Sequence, residues 1–492
     1  MRSSFFRVGL VGLASLVWAQ PPVDAVSDIT AALRAKRFEQ ALKLAQPALE
    51  REPNNVRILT LKALALAGLD RDTEALAVYD LALGVQPDYL AALEGAAQLE
   101  YRAGQKRAIS LLDRLLKLQP DNSTAHAMRG VMAWKEHDCE TAIHHFALAG
   151  TVIANEADAL EEYIGCLAGL ERPAEAVPVL RQLAALRPED RQVRYRLAAA
   201  QYMAKSYAEA AQTLGPLLSV KDVNPDALDL ASLSWEALGD TPRAVAALRQ
   251  AIVLAPTDIR LYIDFATLSL VHKSYETGIK MIDAGLARLP GAAQLYVARG
   301  VLNVQLAQYE QADADFAAAE RLEPRQSFGS LARGFAEVEQ NDLDKALTTV
   351  RTQLQTQRGN PFLYYLLAEI LASKGADSGT PEFREATDAA LRAVTLKPDF
   401  TLARDILSRL YFNSGEMDKA IEQCRLALRD NPLDATALYR LIRALQKSGL
   451  AGAEREVPAL LKRFNEVRQQ LNNQEAEEGR YRLVAGAGVA DK

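Results

Sequence analysis

The feature that most constrains this chain is an internal repeat of about 34 residues that runs through nearly all of its length. Prolines near the ends of apolar helical segments follow this interval or twice it, with one wider gap. A second series of small residues keeps the same spacing, apart from one interval of 40 residues. Its members are Ala41, Ala75, Ala108, Ala142, Ala176, Ala210, Ala244, Gly278, Ala312, Ala346, Ala386, Ala420 and Ala453. Such a period is typical of helix pairs that stack into a solenoid.

The residue types at fixed places of the repeat predict two antiparallel helices per unit. A small residue on the second helix lets it approach the first, where we expect small residues such as Gly130 and Gly300. Glycines at 104, 239 and 415 fit the positive φ at the end of a first helix. Aromatic residues are only 7% of the chain, which favours helices over strands. The sequence therefore predicts an all-α fold of about thirteen helix pairs.

Two further motifs relate the repeat to a known family. An aromatic residue opens the second helix at Phe38, Tyr207, Tyr275 and Tyr309. Several units close on Leu-x-Pro or a similar triplet, as at 118–120, 322–324 and 396–398. The chain thus resembles the tetratricopeptide repeat family over residues 24–465. The resemblance implies a right-handed superhelical α-solenoid that binds other proteins.

The predicted organisation has four parts. Arg2 and Arg7 flank the start of a short apolar run, Val8–Trp18, and small residues at 17 and 19 suit a signal peptidase. We therefore expect a signal peptide at 1–19 and export to the periplasm or cell envelope, with no transmembrane segment after cleavage. An uncleaved membrane anchor is the weaker alternative, because eleven helical residues span only about half of a bilayer core. The solenoid is predicted at 20–465, a capping helix at 458–482 and a flexible tail at 483–492.

The charge and the scarce metal ligands exclude several classes of function. The formal net charge is −6, from 57 basic and 63 acidic residues, which does not suit a nucleic-acid binder. The three cysteines, Cys139, Cys166 and Cys424, are expected to be buried free thiols. Four of the five histidines lie at 126–145, and we expect solvated turn and surface residues there, with a weak zinc or nickel site as the alternative. No catalytic motif is present and no cofactor is expected, so we predict that the protein is not an enzyme.

The resemblance also implies where a partner binds, because the first helix of each pair lines the concave surface in this family. The candidate groove residues are Tyr101, Trp134, Tyr195, Tyr202, Asp226, Asp229, Glu236, Phe335, Tyr365, Arg409 and Arg443. The Lys and Asn residues with which some family members clamp a C-terminal carboxylate are replaced, for example by Leu64 and Gln98. We predict an apolar partner segment with a few basic residues lying across pairs four to seven. The alternative is that the aromatic rings only fill gaps between repeats.

These observations predict a non-enzymatic protein-protein interaction scaffold of the periplasm or cell envelope, whose groove binds an extended or helical segment. An accessory or regulatory subunit of an envelope enzyme or polysaccharide-export complex is the alternative.

Overall fold

The computed structural model describes residues 24–323, 328–450, 452–478 and 482–483. The predicted signal peptide and residues 484–492 lie outside these ranges. All regular structure in the described residues is helical. Of the helices described, none is both long and apolar enough to cross a bilayer.

The chain divides into two compact units, which meet at residues 217 and 218. The N-terminal unit holds α1 (Asp24–Arg34), α2 (Phe38–Arg51), α3 (Val56–Gly68), α4 (Asp72–Val85), α5 (Leu90–Arg102), α6 (Arg107–Leu118), α7 (Ser123–Lys135), α8 (Cys139–Ala149), α9 (Ala157–Gly169), α10 (Pro173–Leu186), α11 (Arg191–Met203) and α12 (Tyr207–Leu218).

The C-terminal unit continues the same alternation of first and second helices. Its helices are α13 (Pro225–Ala237), α14 (Thr241–Leu254), α15 (Ile259–Val271), α16 (Tyr275–Arg288), α17 (Ala293–Gln305), α18 (Tyr309–Leu322), α19 (Phe328–Glu339), α20 (Leu343–Thr356), α21 (Pro361–Ser373), α22 (Pro381–Leu396), α23 (Thr401–Asn413), α24 (Met417–Asp430), α25 (Ala435–Ser448) and α26 (Ala453–Glu478). In twelve pairs the odd-numbered helix packs on the even-numbered helix that follows it, and in the remaining pair Thr213 of α12 donates a hydrogen bond to Gln201 of α11. The described residues therefore form thirteen helix pairs, and the predicted all-α solenoid is confirmed.

The turn inside each pair has the same backbone conformation where the first helix ends. Within two residues of the end of each first helix, one residue has a positive φ, and in five of the thirteen turns this residue is glycine, at 104, 239, 375, 415 and 449. The other eight are Lys36, Asp70, His137, Glu171, Lys205, Lys273, Ala307 and Asn341. The left-handed end of the first helix is thus imposed by the packing of the pair, even where a side chain disfavours it.

The small residues of the second helices lie where the two helices of a pair pack together. The alanines of the repeated small-residue position are buried, most of them completely. In two pairs the glycine of the first helix lies against an aromatic ring of the second helix. A Cβ on Gly130 would lie 2.8 Å from Phe146, and one on Gly300 would lie 2.4 Å from Phe316. The ring, four residues after the alanine, fills the space that the glycine leaves.

This contact predicts opposite effects of two glycine-to-alanine changes. Gly300→Ala should destabilise the C-terminal unit by about 1–2 kcal/mol, because overpacking against the buried Phe316 outweighs the better helix propensity of alanine. Gly165→Ala in α9 should stabilise the N-terminal unit by about 0.5–1 kcal/mol, since no atom lies within 4 Å of its added Cβ. Urea unfolding of both variants checks this, and a stabilising Gly300→Ala would contradict the assigned packing.

The first helices line the inner side of each unit. Successive first helices pack directly on each other, from α1 to α9 in the N-terminal unit and from α15 to α25 in the C-terminal unit. Successive second helices approach less closely. A stack whose first helices are closer together curves toward them, so their free faces form the groove.

The last of the described helices overlaps the predicted capping helix at 458–482. This helix, α26, runs without a break from Ala453 to Glu478, with Pro458 inside it. Leu483, expected to begin a flexible tail, is buried in the C-terminal unit. Its N–H donates to Ser274 Oγ at 2.8 Å, and its carbonyl accepts from Thr277 Oγ1 at 3.1 Å. Leu483 is therefore held at the start of α16 by two hydrogen bonds.

Candidate partner-binding groove

All eleven predicted groove residues lie on first helices. Tyr101, Trp134, Tyr195 and Tyr202 belong to α5, α7 and α11 of the N-terminal unit, and the other seven belong to α13, α19, α21, α23 and α25 of the C-terminal unit. The structure brings only some of them together, and their role in a groove stays a prediction.

In the N-terminal unit the aromatic residues differ in exposure. Trp134 leaves 38% of its surface exposed, whereas Tyr101 is half-buried with Lys135 Nζ 5.8 Å from its ring centre. Burial, assisted by the nearby Glu162 carboxylate, raises the pKa of Tyr101 to about 12. Trp134 is therefore the ring with the larger free surface.

The two tyrosines of α11 are half-buried. The ring of Tyr202 lies 5.4 Å from that of Tyr207, which opens the second helix of the same pair. Part of the Tyr202 surface thus packs within its own helix pair.

In the C-terminal unit, four rings form a continuous row, three from the first helices α19 and α21 and one from the N-cap of α23. Phe335 lies 6.0 Å from Tyr365, Tyr365 lies 5.2 Å from Phe400, and Phe400 lies 5.0 Å from Phe362. Phe335 and Phe362 expose 37% and 40% of their surface, while Phe400 is buried between them. The row combines an anchored centre with exposed ends, which suits an apolar partner.

Sequence reasoning missed Phe362 and Phe400. Both stand at the start of a first helix, Phe362 directly after Pro361 and Phe400 at the N-cap of α23. Aromatic residues at the starts of two successive first helices were the signal that could have found them.

The basic residues at the end of the C-terminal unit already have partners. Arg409 Nη2 lies 3.3 Å from Glu369 Oε2, so this pair links α23 with α21. Arg443 Nη1 donates to Tyr439 Oη at 3.1 Å, and its guanidinium lies over the same ring. Tyr439 also packs on Phe464 of α26 at 5.9 Å. Both arginines therefore already interact with other side chains of the C-terminal unit.

Two of the predicted acidic residues are also paired. Arg260 Nη2 donates to Asp226 at 2.8 Å and to Asp258 at 2.6 Å. Glu236 Oε1 lies 2.7 Å from Nε2 of His272, which is almost fully buried. Asp226 and Glu236 thus join α13 to the helix α15 and to the residue that follows it.

Asp229 is different, because it is buried with an unsatisfied oxygen. Only 9% of its surface is exposed, and its Oδ1 has no hydrogen-bond partner. Its carboxyl group lies near that of Asp264 of α15, and each of the two groups affects the pKa of the other. Burial raises the pKa of Asp229 to about 7, and the Asp264 charge adds to the rise. Asp264, which sequence reasoning missed, lies one residue away from exact repeat register with Asp229.

An apolar cavity lies along α15, the helix that carries Asp264. Its volume is about 280 Å³, and its walls come from α15, α17 and α18. Ile263, Thr267, Val297 and Val301 are among its lining residues. The cavity is large enough for one or two aliphatic side chains.

Comparison with known proteins agrees with the architecture. Family models described as tetratricopeptide repeat match residues 29–89 and 167–233, together about a quarter of the chain. The chain resembles the tetratricopeptide repeat family. Repeats of this kind are generally protein-binding scaffolds without an enzymatic activity of their own. No curated protein matches the sequence significantly.

Three solved structures are similar to the chain. The yeast Tom70 structure is 17% identical with a TM-score of 0.47, and the match covers 86% of this chain and 95% of that one. A chain of the APC/C hetero-tetramer Cut9-Hcn1 is 12% identical with a TM-score of 0.36, and the match covers 85% and 95%. A tetratricopeptide repeat protein from Parabacteroides merdae ATCC 43184 is 18% identical with a TM-score of 0.30, and the match covers 46% and 90%.

The expectation of three free thiols was wrong for two of them. Cys139 and Cys166 form a disulfide that joins the start of α8 to α9, with Cα atoms 5.0 Å apart. The two positions are not in repeat register, but the packing of consecutive pairs brings them together. Cys424 is free and buried as predicted, and burial raises the pKa of its thiol to about 11.

The histidine-rich segment is also more structured than predicted. His126 is buried, with Nδ1 2.8 Å from His145 Nδ1 and Nε2 2.8 Å from the Pro120 carbonyl. Burial, with smaller effects of His126 and Arg129, lowers the pKa of His145 to about 4. His137 does lie exposed in a turn. Among the described residues, no group of three or more His, Cys, Asp or Glu side chains has the geometry of a metal site.

Proposed function

We propose that the protein is a non-enzymatic interaction scaffold of the periplasm or cell envelope, and that its grooves bind an extended or helical segment of another protein. The observation that carries this proposal is the display of partly exposed aromatic rings on the inner first helices, at Trp134 and along the row from Phe335 to Phe362. Large rigid rings give contact area at low entropic cost and are enriched at the centres of interfaces.

The disulfide supports the proposed location. Disulfides persist in oxidising compartments such as the bacterial periplasm and are rare in the cytosol. A bond between Cys139 and Cys166 therefore fits export, together with the signal-like N-terminus.

The location predicts a specific thiol-labelling pattern. Cells are quenched with acid, and the protein is denatured and treated with a maleimide polymer that adds mass at each free thiol. Without a reductant we expect one adduct, at Cys424, and with a reductant we expect three. Three adducts without a reductant would contradict an oxidising compartment.

The groove predicts where a partner can be crosslinked. A photoreactive phenylalanine analogue in place of Phe362 should capture a discrete partner in intact cells, because this ring is exposed on a first helix. The matched control is the same analogue at Leu391, which is exposed to a similar extent on the second helix α22. Mass spectrometry of the adducts identifies the partner. Equal capture at both positions, or none at Phe362, would contradict the groove.

A further inference from the structure

We infer that the Asp229–Asp264 carboxyl pair is a binding pocket for one cationic side chain, lysine or arginine, of a partner protein segment, and that the neighbouring cavity takes an apolar side chain of the same segment. This inference rests on the proposed function and specifies the chemistry of one of its contacts.

The first observation is the unsatisfied oxygen of a buried carboxyl group. Asp229 is nine-tenths buried, and its Oδ1 has no hydrogen-bond partner. Leaving such a group without a partner costs free energy, whereas a charged donor would recover that cost. The buried carboxyl group therefore destabilises the chain alone, whereas a bound cation would compensate for its burial.

The second observation is that the nearby arginine, Arg260, already binds two other carboxylates. Arg260 is the basic group that lowers the pKa values of both Asp229 and Asp264, and its guanidinium is bound to Asp226 and Asp258. Four carboxyl groups from α13, α15 and the turn before α15 thus share one arginine. The local excess of negative charge selects a positively charged ligand.

The third observation is the apolar cavity on the adjacent face of α15. Ile263 and Thr267 line this cavity and flank Asp264 in the sequence, at one residue and three residues from it. A small inorganic cation would use the carboxyl groups alone. A peptide with a basic and an apolar side chain close together would use both features, which is why we assign the site to a protein segment.

The test is a selection with a displayed library of random twelve-residue peptides against the full chain. We compare the wild type with Asp229→Asn/Asp264→Asn, which keeps the shape of the side chains but removes their charge. The control Glu310→Gln/Glu382→Gln neutralises two exposed carboxylates on the second helices α18 and α22. Thermal melting establishes that each variant is folded.

We expect the wild type and the control to select peptides with Lys or Arg close to a large apolar residue. The affinity of these peptides should fall about tenfold or more on Asp229→Asn/Asp264→Asn and stay within about twofold on the control. Peptides that lack a basic residue, or that bind the double Asp variant equally well, would overturn the inference.

A second variant tests the apolar half of the site. Ala298 lines the cavity, so Ala298→Leu should reduce its volume and shift the selection toward smaller apolar residues while the basic residue is retained. An unchanged selection would remove the cavity from the site.

The outcomes also separate this inference from the proposed function. Specific crosslinking at Phe362 that persists in Asp229→Asn/Asp264→Asn, together with selected peptides that ignore the carboxyl pair, leaves the scaffold proposal standing and rejects the pocket. Failure of both the selection and the Phe362 crosslink rejects both.

Discussion

Removal of the disulfide between Cys139 and Cys166 is expected to lower the free energy of unfolding of the N-terminal unit by about 3 kcal/mol. The bond closes a segment with a sequence separation of 27 residues, so breaking it returns conformational entropy to the unfolded chain. The loss should be felt most strongly between α7 and α10, because each pair of a solenoid contacts only its neighbours. Urea unfolding and hydrogen exchange of Cys139→Ala/Cys166→Ala measure the effect.

Two controls separate the disulfide from simple loss of packing. Reduction of the wild-type protein breaks the bond and keeps all sulfur atoms, and it should give most of the same destabilisation. Cys424→Ala truncates a buried free thiol in the C-terminal unit and should leave exchange in α7–α10 unchanged. If reduction leaves both the unfolding curve and the exchange pattern unaltered, the bond does not form in the native protein.

Asp229→Asn is expected to stabilise the C-terminal unit at pH 8 by on the order of 2 kcal/mol and by clearly less at pH 5. In the folded chain the pKa of Asp229 is about 7, raised by burial and by Asp264, while an unfolded aspartate titrates near pH 4. The protonated form is therefore the stable one in the fold. Its contribution is fully present below the unfolded pKa and is lost as the pH rises through 7. Asparagine resembles the protonated acid and does not titrate.

The measurement is urea unfolding of both proteins at pH 5 and pH 8. Asp226→Asn is the matched control on the same helix, because Asp226 is bound to Arg260 and its loss should bring no gain in stability at pH 8. A wild type as stable as Asp229→Asn at pH 8 would show that the carboxyl pair is not strained. The predicted gain also indicates that the chain tolerates an unfavourable group where a ligand would use it, which is common at binding sites.

The sequence determined the architecture of this protein because the repeat fixes local geometry. Three features reveal the helix pairs in the sequence: the 34-residue interval, the small residue of each second helix and the turn glycines. Each of them depends only on residues that are close together in the chain. The placement of all eleven groove candidates on first helices follows from the same register.

The tertiary structure decided what the repeat register does not encode. Cys139 with Cys166, His126 with His145, and Asp229 with Asp264 are contacts between helices, and they depend on which faces the packing turns toward each other. Whether Arg409 or Asp226 is free for a partner depends likewise on a residue about one repeat away. A repeat in the sequence specifies the helix pairs, whereas the burial and pairing of polar groups arise only when the pairs are stacked.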